Sequence, residues 1–130
     1  MERKEDFLIP EEIVEWIGLK KSEYLSRLIM EQKSEDIGFE DFQHYDAYVP
    51  GTIEVPDRTY QFKEDDQRIR TYVKTYSEKI LFHQVVIGIL IEDKSNNSDV
   101  FVPIITFVSR DANLIKGFSL GDAVSKPVLN

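Results

Sequence analysis

Apolar residues recur at helical spacing in the first third of the chain and alternate with polar ones in its second half. Residues 10–17 open with Pro10, Glu11 and Glu12, a start that a helix N-terminus favours, and carry Ile13, Val14, Trp16 and Ile17. Gly18 is read as the end of that short helix. Ser22 then serves as N-cap of a second helix, whose stripe is Tyr24, Leu25, Leu28 and Ile29. Glu23, Arg27, Glu31 and Gln32 form its wet side, and Gly38 marks its end or the loop beyond. Phe39, Phe42, Tyr45 and Tyr48, spaced by three, predict one or two helical turns that turn their rings inward. Pro50-Gly51 and Pro56-Asp57 read as turns around an extended stretch at 52–55, and residues 63–67 as a polar loop.

The run 68–76 predicts a strand, because its parities separate cleanly. One face carries Arg68, Arg70, Tyr72, Lys74 and Tyr76, and the other Ile69, Thr71, Val73 and Thr75. Residues 80–91 are apolar on both parities, as in a central strand buried on two faces. Residues 93–99 have strong turn composition. Residues 100–109 form the partner strand, in which Pro103 lacks an amide donor and so belongs at an edge or a bulge. Residues 114–118 are read as a last short strand or a closing turn, and the tail from Gly121 has little pattern. Helices followed by an antiparallel meander define an α+β fold: N-terminal helices on one face of a sheet of about four strands. The 130 residues fit a single domain, 1–130, with 1–7 and 122–130 expected to be flexible.

Composition narrows the function classes. A hydrophobic share of 42% and a charged share of 31% are those of a soluble globule. The chain has no cysteine, which removes disulfides, thiolate metal sites and cysteine nucleophiles. The longest apolar run, 85–91, is too short to span a bilayer, and a cytoplasmic location without membrane contact is expected. The net charge of −8 is uneven. Residues 1–67 hold 8 Lys/Arg against 18 Asp/Glu, or −10, while residues 68–130 hold 8 against 6, or +2. The acidic half suits docking of a basic protein partner, and the second half leaves room for a locally basic sheet surface.

Cations interleaved with rings on Arg68, Arg70, Tyr72, Lys74 and Tyr76 suit a phosphate-bearing, stackable ligand such as single-stranded RNA. The same pattern also describes a solvated strand face that resists edge pairing. A metal-free ribonuclease needs cations around the phosphate, a base and an acid. Arg70 and Arg110 are the candidate cations, and His44 and His83 the candidate acid and base. A histidine on the buried parity of a strand is equally a hydrogen-bonded core residue. The acidic run at 64–66 lacks a calcium-loop spacing, and no metal or cofactor is expected. No nucleophile elbow, phosphate-binding glycine loop or dinucleotide fingerprint occurs.

Residues 12–18 (EIVEWIG), 24–26 (YLS), 48–50 (YVP) and 53–57 (IEVPD) together resemble the phage-associated branch of the barnase–EndoU–colicin–RelE-like nucleases. The resemblance covers roughly residues 10–110. It implies an α+β, RNase-like or toxin-like domain that cleaves or binds RNA through its sheet face without metal. The sequence departs from that pattern in two ways: residues 28–33 hold no histidine, and the chain is strongly acidic. Either other residues act, or the fold persists as a non-catalytic protein-interaction module.

Overall fold

The computed structural model describes residues 8–124. Helix α1 spans Glu11–Glu31, a 3-10 segment Phe39–Tyr48, and α2 Val49–Glu54. Strands β1 (Arg58–Glu64), β2 (Gln67–Ser77), β3 (Leu81–Asp93) and β4 (Ser98–Ser109) follow, then α3 (Ala112–Phe118) and β5 (Asp122–Ala123). All strand pairs are antiparallel, in the order β4-β3-β2-β1-β5. The α+β reading is therefore correct, with β2, β3 and β4 close to their expected limits.

Several local readings are corrected. Gly18 does not end a helix; α1 runs through it. A mid-helix glycine costs about 1 kcal/mol relative to alanine. The helix carries that cost because Ile13, Trp16 and Ile17 on one side and Tyr24 and Leu28 on the other anchor it to one core. Residues 52–55 are not extended, since Val49–Glu54 is helical, with Pro50 in its first turn, where a missing N–H is harmless. Residues 114–118 belong to a helix, capped by Asp111, whose Oδ1 accepts from the Asn113 amide at 3.0 Å.

The segment before β2 is a strand, β1, of which only Lys63 and Glu64 fall within the expected polar loop at 63–67. Asp65 and Asp66 have φ of 52° and 65° and join β1 to β2 as a two-residue turn, with Glu64 paired to Gln67. Asp122–Ala123, expected in a flexible end, pairs with β1. Gly121 before it has φ +97°, and a Cβ there would meet the Gln61 carbonyl carbon at 2.6 Å. The flexibility expected of 1–7 and 125–130 lies outside the described residues.

Pro103 sits on edge strand β4 and beside a bulge: the β3–β4 register slips between Ile87, opposite Ile105, and Gly88, opposite Pro103. The extra residue, Ile104, reverses the facing of β4 at that point. One face of the sheet carries Ile69, Val73, Val85, Ile87, Ile89 and Phe107 beneath Tyr24 and Leu28 of α1 and Leu114, Ile115 and Phe118 of α3. On the other face, Tyr76, Phe82 and Val108 are covered by Ile37, Tyr45 and Tyr48. Helical cover thus extends to one end of the second face, where Phe42, Tyr45 and Tyr48 of the 3-10 segment pack half-buried rings while Phe39 stays exposed.

Candidate functional site

The charged-and-aromatic face of β2 divides into two halves. At the Tyr76 end the ring stacks on Phe82 at 5.4 Å and lies 4.7 Å from Tyr48. Its hydroxyl donates to the Tyr48 carbonyl at 3.1 Å and shares a hydrogen bond with Thr52 Oγ1 at 3.0 Å. Lys74 donates to the Val55 carbonyl at 2.8 Å and lies 3.7 Å from Asp57. Both side chains hold α2 and its exit turn against the sheet. Tyr72 is 8% exposed and meets Phe101 edge-on at 4.9 Å. Phe101 in turn covers Gly88, where an added Cβ would lie 2.6 Å from its ring.

The other half holds Arg68 and Arg70. Arg68 grips Asp99 with two bonds of 3.0 and 2.8 Å. This charge-assisted pair holds Arg68 above the usual arginine range and Asp99 below the usual carboxylate range. Arg70 Nε donates to Gln61 Oε1 at 2.9 Å, and a second guanidinium nitrogen bonds the same oxygen. Arg68 and Arg70 line a groove of about 540 Å³ with Gln61, Lys63 and the β5 residues Asp122 and Ala123. Gln61, Lys63 and Asp99 were missed as part of this surface. The alternation of residues 58–64 was the available signal for the first two; nothing in the sequence marks Asp99 as the partner of Arg68.

The four candidate catalytic residues are not brought together. His44 is exposed on the 3-10 segment, 4.0 Å from Asp41. His83 is 9% exposed at the end of the α1-covered face, and its Nδ1 shares a 2.8 Å hydrogen bond with Thr75 Oγ1. Desolvation pulls its pKa below the ordinary histidine value, assisted by the nearby Arg58 and opposed by Asp36 and Asp57. Arg70 lies opposite Gly88, whereas Arg110 follows Ser109, which lies opposite His83. Five strand residues, about 16 Å, separate those two positions on β3.

The corner near His83 is organised by Asp36, another residue the sequence did not mark. Its carboxylate accepts from the amides of Ile37 at 2.7 Å and Arg110 at 2.8 Å, and from the buried hydroxyl of Ser109. Lys33, Arg110 and Asp111 line a hollow of about 700 Å³ beside it. These bonds tie the loop after α1 to the end of β4. Among the described residues, no cluster of His, Cys, Asp and Glu could hold a metal ion, and no helix is long and apolar enough to cross a membrane.

The outward face of α1 has a different character. Val14, Leu19, Ile29 and Met30 are 51%, 72%, 64% and 84% exposed. Gly18, Ser22 and Ser26 form a low row between them, and among the described residues nothing beyond the adjoining helix backbone lies within 4 Å of where a Gly18 Cβ would stand. Glu11, Glu12 and Glu15 rim its N-terminal end. The opposite side of the helix is fixed by Lys20, whose ammonium bonds Glu23 at 2.6 Å and Glu64 of β1 at 3.0 Å. Burial alone would lower the Lys20 pKa, but these carboxylates outweigh it and hold it above the ordinary lysine value. Leu25 continues the apolar surface into a dent of about 290 Å³ against Pro103 and Ile104 of β4.

Comparison with known proteins gives no match to a family model, to a curated protein or to a solved structure.

Proposed function

We propose that this chain is a non-catalytic protein-interaction domain that docks a protein partner through the outward face of α1. The observation that carries the reading is the concentration of large apolar side chains, more than half exposed, on one side of a helix whose other side is anchored to the core. Scattered surface leucines are ordinary, but several large apolar side chains left exposed along one side of one helix are a mark of association surfaces. Lys21 and Glu23 flank the middle of this face, and Glu11, Glu12 and Glu15 gather at its N-terminal end.

An RNA-cleaving site finds less support. Its candidate acid and base sit on separate elements, and Tyr72 and Tyr76 offer no free ring face for stacking. A second reading, RNA binding without cleavage, is favoured by the groove that joins Lys63, Arg68 and Arg70. One pair of measurements separates the two. The docking reading expects no RNA turnover and only weak, sequence-blind RNA binding by the purified protein. It also expects a protein complex that Leu19→Glu plus Ile29→Glu abolishes without unfolding the domain. Tight RNA binding lost on Arg70→Ala and Lys63→Ala would favour the groove instead.

A further inference from the structure

We infer that the partner fitted by the outward face of α1 is a second copy of this chain, crossing it helix on helix about a twofold axis near Ser22. The inference rests on the reading of that face as a docking surface, and goes beyond it by naming the occupant.

Three rows spaced by four residues run along this side of the helix. The middle row is Val14, Gly18, Ser22, Ser26 and Met30; one flanking row is Lys21, Leu25 and Ile29; the other is Glu15, Leu19 and Glu23. A low row between two raised ones is a groove, and rows of this spacing interdigitate when two helices cross obliquely. Two copies meeting at the middle row bring backbones close at Gly18 and Ser22. Leu19 and Leu25 then enter the hollows beside the partner's small residues. Among the described residues nothing uses the space over Gly18, yet glycine there weakens the helix. A close approach by another chain gives that position a use.

Charge selects both the occupant and its direction. Consecutive helical residues turn by about 100°, so Lys21 and Glu23 stand on opposite flanks of Ser22. A twofold axis along the helices sets Lys21 against the partner's Glu23, and does so twice. An axis across the helices sets Lys21 against Lys21 and Glu23 against Glu23. The parallel-sense crossing is therefore the complementary one. Glu23 is already oriented by its bond to Lys20, and its side chain is 64% exposed.

The contact is small. A helix of 21 residues is about 32 Å long, and because obliquely crossing helices touch along only part of that length, a strip about 10 Å wide buries less than roughly 300 Å² per copy. Standard stable interfaces bury about 800 Å² per partner. The dimer is accordingly weak and reversible, and forms at raised protein concentration.

Sedimentation equilibrium of the full chain from micromolar to near-millimolar concentration tests this. The expected result is a mass rising from 15.2 kDa towards twice that value with concentration. Gly18→Leu fills open space and favours the helix, so it will keep or raise the Tm of the monomer while abolishing the mass increase. Lys21→Glu will weaken association a few-fold. The chain has no cysteine, so Ser22→Cys offers a single thiol, and a disulfide-linked dimer will form under mild oxidation. A constant mass of 15.2 kDa at every concentration overturns the inference. So does a dimer that Gly18→Leu leaves intact, because it uses another face. In the constant-mass case the docking reading survives only if another protein is captured and lost with Leu19→Glu plus Ile29→Glu. Failure of that capture as well removes both.

Discussion

Arg68 and Asp99 face each other across β3 and join through two hydrogen bonds of 3.0 and 2.8 Å. The cation that the strand pattern offered to a phosphate is thus held by a carboxylate of the same chain. Asp99→Asn removes that competitor and leaves Arg68 beside Arg70 and Lys63 in one groove. The variant will bind heparin or single-stranded RNA more tightly than the parent, with a steeper dependence on salt. Its Tm will change little, because both partners of the pair are exposed. Equal affinity in a salt titration would show that Asp99 does not limit this surface.

His83 gives the domain a pH dependence of stated sign. Its folded pKa lies below the ordinary value of 6.5 because burial disfavours the imidazolium. The unfolded chain therefore takes up a proton that the fold refuses. The corresponding stability is complete above about pH 6.5 and is lost as pH falls from there towards the folded value. Urea midpoints will decline over that interval for the parent. The decline will be shallower for His83→Gln, which keeps a hydrogen-bonding group near Thr75. Identical slopes for the two proteins would remove His83 from the account.

Gly88 is fixed by what lies over it. An added Cβ would fall 2.6 Å from the Phe101 ring and closer still to the Val102 carbonyl. Gly88→Ala will cost about 1–3 kcal/mol, as overpacked sites do. Phe101→Ala will not rescue it, because the carbonyl of the bulged strand remains in place. Denaturation of the single and double variants checks this, and full recovery in the double variant would contradict it.

Gln84 is 2% exposed, and its Oε1 has no hydrogen-bond partner among the described residues. Its Nε2 donates to the Phe107 carbonyl at 3.2 Å. An unanswered buried carbonyl is costly, so the near-isosteric Gln84→Met will be neutral or stabilising by up to about 1 kcal/mol. A fall in Tm would mean that the amide contributes more through Phe107 than it loses at Oε1.

The legible parts of the fold were those where side-chain periodicity and burial agree. Residues 68–76 sorted by parity because Ile69, Thr71 and Val73 do face a core. Pro103 announced both an edge and a bulge, because a residue without an amide donor has few other places in a sheet. The misreadings came from punctuation overruled by packing. Gly18 has the look of a stop, but the stop needs a chain that turns, and core contacts before and after it keep α1 helical. Asp65-Asp66 lacks the glycine of a typical tight turn, so residues 63–67 read as a polar loop and the short alternation of Tyr60 and Phe62 with Gln61 and Lys63 gives no strand by itself.

The candidate site was less legible, for a physical reason. The pattern of β2 gives the facing of its side chains, and the facing was right. Which groups stand across from them depends on register and on distant loops. Asp99 reaches Arg68 from beyond β3, and Tyr48 covers Tyr76 from the 3-10 segment. Spacing alone does not reveal the exposed side of α1, because Val14 and Ile29 share the helical periodicity of residues that do pack on the core, Leu25 among them. Only coordinates show that Tyr24 and Leu28 face inward while Val14 and Ile29 do not.

The central claim is that α1, and not the cationic strand, is the working surface. Photo-crosslinking in cells tests it most directly, with a photoreactive side chain placed at position 29 in one variant and at position 70 in another. Protein adducts, identified by mass spectrometry, will form from position 29, and no nuclease-sensitive adducts will form from position 70. Nucleic-acid adducts from position 70, with none to protein from position 29, would contradict it.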